Sequence, residues 1–184
     1  MLYINNEAER AMPKYTKVFT SHIETTLQRC WEFHNDASAL KILTPPDQEI
    51  KIISEDNRIY EGATHIIEAK KFGRRIHWVA RILKVNPPHG FTDIAIKSPF
   101  KTWEHKHEFS EKEGIVTIKD TITYEPKGGI LGAIANSVKI DEEIEKLFKY
   151  RHRTLREFLQ SSAAVINEEL IGTGGDGLST SLGD

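Results

Sequence analysis

The clearest pattern in the chain is a strict alternation centred on residues 102–109. Trp103, His105, His107 and Phe109 alternate with Thr102, Glu104, Lys106 and Glu108. A period of two puts each set on one face of a β-strand. The outer face is polar and charged; the inner face carries two aromatics and two imidazoles. The next alternating stretch repeats the oddity: Val116, Ile118, Asp120, Ile122 and Tyr124 share one face, and Thr117, Lys119, Thr121 and Thr123 the other. His105, His107, Asp120 and Tyr124 are thus aimed inward among apolar neighbours. Burying such groups is costly unless they are paired, hydrated or used. The pattern predicts a polar-lined cavity.

The remaining periodicities supply the frame. Residues 15–23 alternate as a first strand, with Tyr15, Lys17, Phe19, Ser21 and Ile23 on one face. Thr25 or Thr26 can cap a short helix over residues 27–34, and Asp36 a second over residues 37–43, ended by Pro45-Pro46. Strands are predicted at 49–54, 59–72 (with Gly62 marking a bend), 75–85 and 91–97. Phe72-Gly73-Arg74, Asn86 to Gly90 and Ser98-Pro99 read as turns. If Ser98-Pro99 is a two-residue loop, Ile94 faces Trp103 and Thr92 faces His105. An apolar stripe of Ile140, Ile144, Leu147, Phe148, Arg151, Leu155, Phe158 and Leu159 predicts a long helix over residues 136–160. One curved antiparallel meander and one amphipathic helix bury their apolar faces against each other, which is an α+β architecture.

The hairpin between the two central strands has two short-turn registers that keep the inward groups together. Placing His105 opposite Asp120 sets Lys106 against Lys119, an unfavourable pair. Placing His107 opposite Asp120 leaves a Glu113-Gly114 turn, sets Glu108 against Lys119 and puts Trp103 opposite Tyr124. The second register is the one expected. Asp120 then favours the charged form of His107, while His105, opposite Ile122, stays neutral.

Composition narrows the class. The 184 residues form one domain over 15–160, between a polar leader (1–14) and a flexible Gly/Ser-rich tail (161–184). A net charge of −2 gives no general attraction to nucleic acid, and no apolar run reaches membrane-spanning length. The single cysteine, Cys30, excludes an intrachain disulfide and fits a reducing, cytoplasmic setting. Residues 172–177 match Gly-x-Gly-x-x-Gly but follow no predicted strand and open no helix, so they read as linker and no cofactor is expected.

The order of elements resembles the helix-grip fold of the START/Bet v 1-like (SRPBCC) superfamily, closest to its polyketide cyclase/dehydrase-like members. The resemblance runs from about Tyr15 to Leu159. It rests on Trp78-Val79-Ala80-Arg81-Ile82, Pro87-Pro88, Phe91-Thr92-Asp93, Ser98-Pro99-Phe100, Trp103-x-His105-x-His107-x-Phe109, Asp120-x-x-x-Tyr124 and Tyr150-Arg151-His152-Arg153. Ser98 departs from it, standing where glycine is expected. The resemblance implies a curved sheet gripping the C-terminal helix, with a cavity between them for hydrophobic small molecules. Lipid transfer, ligand sensing and cyclisation all occur on this fold, so the fold alone does not choose among them.

The candidate cavity is lined by Trp78, Ile82, Ile94, Trp103, His105, His107, Ile118, Asp120, Ile122 and Tyr124, and closed by residues 128–134 and the helix. The first expectation is binding or transfer of a hydrophobic or aromatic, lipid- or polyketide-like molecule. The alternative is a cyclase- or dehydratase-type enzyme in which His107 or His105, with Asp120, serves as base and Tyr124 or the other histidine stabilises an enolate. A third is an interaction module. His105-x-His107 also offers two metal ligands, roughly 7 Å apart along the strand. Asp120 and His65 are the evident further donors, and no second His-x-His exists. No metal is expected. The basic run 149–153 reads as a solvated helix turn.

Overall fold

Alternation from Tyr15 to Glu24 forms β1, and Thr26 caps the helix that follows, its hydroxyl accepting from the Arg29 amide at 3.3 Å. The computed structural model describes residues 13–71, 74–127 and 130–172, with side chains at 13–70, 75–127 and 139–161. The leader up to residue 12, the Phe72-Gly73 turn and the tail from residue 173 lie outside the described residues.

Helix α1 spans Leu27–His34, and a 3-10 turn capped by Asp36 spans Ala37–Lys41. The strands are β2 (Glu49–Ile52), β3 (Thr64–Lys71), β4 (Arg74–Asn86), β5 (Gly90–Lys97), β6 (Phe100–Lys112) and β7 (Ile115–Pro126). They form one antiparallel sheet in the order β1-β7-β6-β5-β4-β3-β2. Helix α2, Ile130–Gly172, lies against it. Two short helical pieces, a curved meander and a long gripped helix are what the sequence predicts.

Four expectations are corrected. The stretch expected as one strand over 59–72 begins pairing only at Thr64; Gly62, at φ +85°, sits in a turn before it. The 49–54 strand ends at Ile52. Helix α2 starts earlier than residue 136 and continues past residue 160 to Gly172, so residues 161–172 are helix and not tail. Its buried stripe is Ile144, Phe148, His152, Leu155 and Leu159, whereas Phe158 is 39% exposed and meets Phe33 of α1 at 4.8 Å.

The β6–β7 hairpin has the expected register. His107 pairs with Asp120, Glu108 with Lys119, Trp103 with Tyr124 and His105 with Ile122. Glu113 and Gly114 turn the chain with φ of +55° and +76°, the left-handed pair that a tight two-residue hairpin needs.

The β5–β6 register is displaced by one residue from the expected one. Asp93, not Thr92, pairs with His105, and Ile94 pairs with Glu104. The cause is local. The Ser98 hydroxyl accepts from the Phe100 amide at 3.1 Å, so Ser98-Pro99-Phe100 forms a three-residue bend, and β6 is irregular between Phe100 and Thr102. A one-residue slip flips every face of a strand. Phe91, Asp93 and Ala95 therefore point inward and Ile94 outward.

Gly90 fixes this register beside the histidines. It pairs with Glu108 at φ +127°, and a Cβ there would lie 2.0 Å from the His107 carbonyl oxygen. Gly90→Ala combines a backbone conformation that L-residues avoid with a clash against main chain. It is expected to cost about 2–4 kcal/mol in urea unfolding. An unchanged midpoint would show that this turn relaxes freely and does not hold the register.

Candidate functional site

The interior is two apolar clusters with a polar layer between them. One holds Ile23, Cys30, Trp31, Ile82, Phe91, Phe109, Val116, Ile118, Leu155 and Leu159. The other holds Trp103, Ile122, Tyr124, Ile144 and Phe148, with Phe19, Trp78, Ala95 and Phe100 packed against it. Each contributing element reads apolar, polar, apolar along its inner face. β1 reads Phe19, Ser21, Ile23; β7 reads Ile118, Asp120, Ile122; β5 reads Phe91, Asp93, Ala95; β6 sets His105 and His107 between Trp103 and Phe109; α2 sets His152 between Phe148 and Leu155. Pairing in register brings these polar residues into one belt across the sheet.

Asp120 is the hub of the belt. Its Oδ1 lies 2.9 Å from His107 Nδ1 and 3.3 Å from His105 Nε2, and its Oδ2 lies 3.0 Å from His152 Nε2. His152 Nδ1 is 2.7 Å from the Ser21 hydroxyl. The opposite nitrogens of the two β6 rings face Asp93: His107 Nε2 at 3.6 Å and His105 Nδ1 at 3.9 Å. The two rings are 3.8 Å apart between centroids, so each imidazole stands between two carboxylates. The contacts of Asp120 Oδ1 with His105 Nε2 and His107 Nδ1 are close in distance but misaligned, and those three buried atoms have no hydrogen-bond partner. Such groups are rare in folded interiors and call for an explanation.

Electrostatics separates the two histidines as the register predicts. Burial opposes charge on His107, but Asp120 and Asp93 prevail and raise its pKa to about 9. Burial, and then the neighbouring His107 charge, lowers His105 despite the same carboxylates. Burial also disfavours the Asp120 carboxylate, yet His107, His105 and His152 hold it well below the usual range. His34 on α1, whose ring is 6.0 Å from that of His107, is pushed down to about 4 by burial and by that charge.

The predicted lining residues divide. His105, His107, Asp120, Trp103, Ile118, Ile122 and Tyr124 share the inner face with Ile82 and Trp78. Ile94 does not: paired with Glu104 and Arg81, it lies on the outer face. The aromatic members pack on one another, Trp78 edge-on to Trp103 at 5.1 Å and Phe100 at 4.8 Å from Trp103. The Tyr124 hydroxyl donates to Asp141 of α2. Burial and that hydrogen bond raise the phenol's pKa, which commits it to the helix. The side chains of residues 128–134, expected to close the cavity, lie outside the described ones. A concavity of about 480 Å³ opens by Lys84, Thr92, Lys106, Glu108 and Lys119, and of the predicted cavity residues its lining includes His107.

Three participants in the belt, Ser21, Asp93 and His152, were not among the predicted site residues, although Ser21 is on the face of β1 that the alternation predicts. Asp93 was hidden by the one-residue register error. His152 falls in the run expected to be a solvated turn, yet it is 7% exposed and Arg151 stacks over Phe148 at 5.0 Å. The spacing Ile144, Phe148, His152, Leu155 carries the signal for His152, since a helix stripe at intervals of four and three has one face.

No family model matches the chain, and no curated protein matches it. Solved structures do. A Thermus thermophilus protein, TTHA0849, aligns with TM-score 0.65 and 14% identity over 80% of this chain and 99% of that one. Protein Ms6760 from Mycobacterium smegmatis aligns with TM-score 0.62 and 17% identity over 78% of this chain and 90% of that one. Ara h 8.0201, a Bet v 1 allergen, aligns with TM-score 0.57 and 15% identity over 81% and 99% of the two chains. These likenesses establish the fold: a Bet v 1-like helix grip.

Proposed function

We propose that this Bet v 1-like helix-grip domain binds a hydrophobic or aromatic small molecule, lipid- or polyketide-like, between its sheet and α2. The observation that carries this reading is the polar belt inside an otherwise apolar interior, with atoms of Asp120, His105 and His107 left without aligned partners. A packed core has no use for such a layer. A ligand with an apolar body and a polar end does. Trp78, Phe100, Trp103 and Phe148 supply the apolar wall, and the belt anchors the polar end. Binding of this kind requires the aromatic rings to part, because they now pack on one another. Among the described residues no helix is long and apolar enough to cross a membrane. The enzymatic alternative draws less support, because the pKa of His107 is raised to about 9 and Tyr124 is engaged by Asp141; His105, whose pKa burial and His107 lower, is its remaining candidate base.

The test is a titration with anilinonaphthalene sulfonate, paired with native mass spectrometry of the freshly purified protein. Saturable probe binding is expected, and both Trp103→Glu and the half-buried Trp78→Glu should abolish it while far-ultraviolet circular dichroism stays unchanged. Saturable binding that ignores both substitutions would place the ligand elsewhere.

A further inference from the structure

The geometry points to a divalent transition-metal site formed by Asp93, His105 and His107, with Asp120 as its outer partner. In the sequence the evident third donors to His105 and His107 are Asp120 and His65, and no metal is expected. The β5–β6 register supplies another donor: Asp93 pairs directly with His105 on the inner face. One ligand atom from each of Asp93, His105 and His107 lies within 4.8 Å of the others. Asp93 Oδ2 is 3.6 Å from His107 Nε2 and 3.9 Å from His105 Nδ1. Ligand atoms around a tetrahedral ion at about 2.1 Å are about 3.4 Å apart, so the two Asp93–imidazole spacings are already near that value.

The far side of the rings strengthens the assignment. Metal-bound imidazoles hand their second nitrogen to a carboxylate that fixes ring orientation. Here one carboxylate stands at the second nitrogen of both rings, Asp120 Oδ1 lying 2.9 Å from His107 Nδ1 and 3.3 Å from His105 Nε2, close to both but not aligned to accept from either until the rings turn. Asp120 is itself held by His152, and His152 by Ser21. The three donors sit on two adjacent paired strands and not on loops, which fixes their spacing. The buried Asp120 and half-buried Asp93 carboxylates flank the two imidazoles with Arg151 beside them, and a dipositive ion would take the place of the proton on His107. Two nitrogen donors and one oxygen donor favour zinc or iron(II) over calcium or magnesium. Three protein ligands leave positions open for water or for a polar group of a bound molecule. This assignment stands apart from the hydrophobic-ligand reading, which the metal-free protein tests.

The experiment uses tag-free protein stripped with chelator and titrated with zinc alone by calorimetry. One zinc per chain is expected. Asp93→Ala should lose that stoichiometric binding, Asp120→Asn should weaken it about 10–100-fold, and His22→Ala, on the outer face, should leave it unchanged. In parallel, wild-type protein loaded with cobalt(II) should show paramagnetically shifted ring N–H signals from two histidines, a readout that needs no variant to fold. Absence of zinc binding at about 100-fold excess over protein, binding that survives Asp93→Ala, or a cobalt spectrum without shifted imidazole signals would overturn the assignment.

Discussion

Asp120→Asn is expected to destabilise the metal-free protein by about 3–5 kcal/mol at pH 6.5, the range for breaking a buried ion pair from one side. The carboxylate is 6% exposed and makes close approaches to three histidines. The amide cannot balance the His107 charge and cannot accept at every contact. Asp93 remains on the other side of His107, 3.6 Å away, and keeps part of the stabilisation. Chemical denaturation measures the loss. In the folded variant, NMR titration should show the pKa of His107 falling further than that of His105, because Asp120 Oδ1 stands closer to His107, at 2.9 Å, than to His105, at 3.3 Å. The reverse order, or a loss below about 1 kcal/mol, would remove Asp120 from the centre of the network.

The same group shapes the pH profile. His107 has a folded pKa near 9 against about 6.5 unfolded. Its contribution is complete below pH 6.5 and is lost as pH rises through 9, a fall of about 3 kcal/mol for a shift of that size. His34, pushed down to about 4, has the opposite sign. The unfolded chain takes up its proton first as pH drops from 6.5 to 4, so stability falls on the acid side as well. Wild-type stability should therefore peak near pH 6.5, and Asp120→Asn should flatten the alkaline limb.

Much of this site was legible because strand periodicity is rigid. Once His105 and His107 alternate with Glu104 and Lys106, their face is determined. Charge pairing across the hairpin then selects one register: Lys106 against Lys119 is poor, and Glu108 against Lys119 is good, with the ion pair formed at 3.2 Å. The β5–β6 link offered no such choice of charges. Its geometry hangs on one hydroxyl, that of Ser98, which adds a residue to the bend and turns Asp93 inward in place of Thr92. His152 was missed for a different reason. Its neighbours Tyr150, Arg151 and Arg153 mask the apolar spacing around it, and the partner that makes burial tolerable, Asp120, is 32 residues away in sequence. The C-terminal end of the helix is illegible because Gly, Ser and Thr near the C-terminus read as a break, whereas the chain stays helical to Gly172. Sequence pattern fixes faces well where backbone pairing repeats. It fixes them poorly where one side chain resets the phase.

Phe148→Ala and Phe158→Ala separate the true face of α2 from the predicted one. Apolarity alone puts both residues on the same stripe. Phe148 is fully buried, stacked on Phe19 at 4.9 Å and edge-on to His105 at 5.1 Å. It thus forms part of the wall against which the polar belt is held. Truncation leaves a ring-sized cavity between β1, β6 and α2 and should cost about 3–5 kcal/mol. Phe158 is 39% exposed and meets Phe33 of α1 at 4.8 Å, beyond the sheet. Its removal exposes little new apolar surface and should cost about 1 kcal/mol or less. The two effects also differ in kind. Loss of Phe148 removes a contact of His105 and should move that histidine's chemical shifts, while loss of Phe158 should leave them in place. Equal destabilisation by the two truncations would mean that α2 is rotated by most of a turn step from the face described, and the contact between His152 and Asp120 would fall with it.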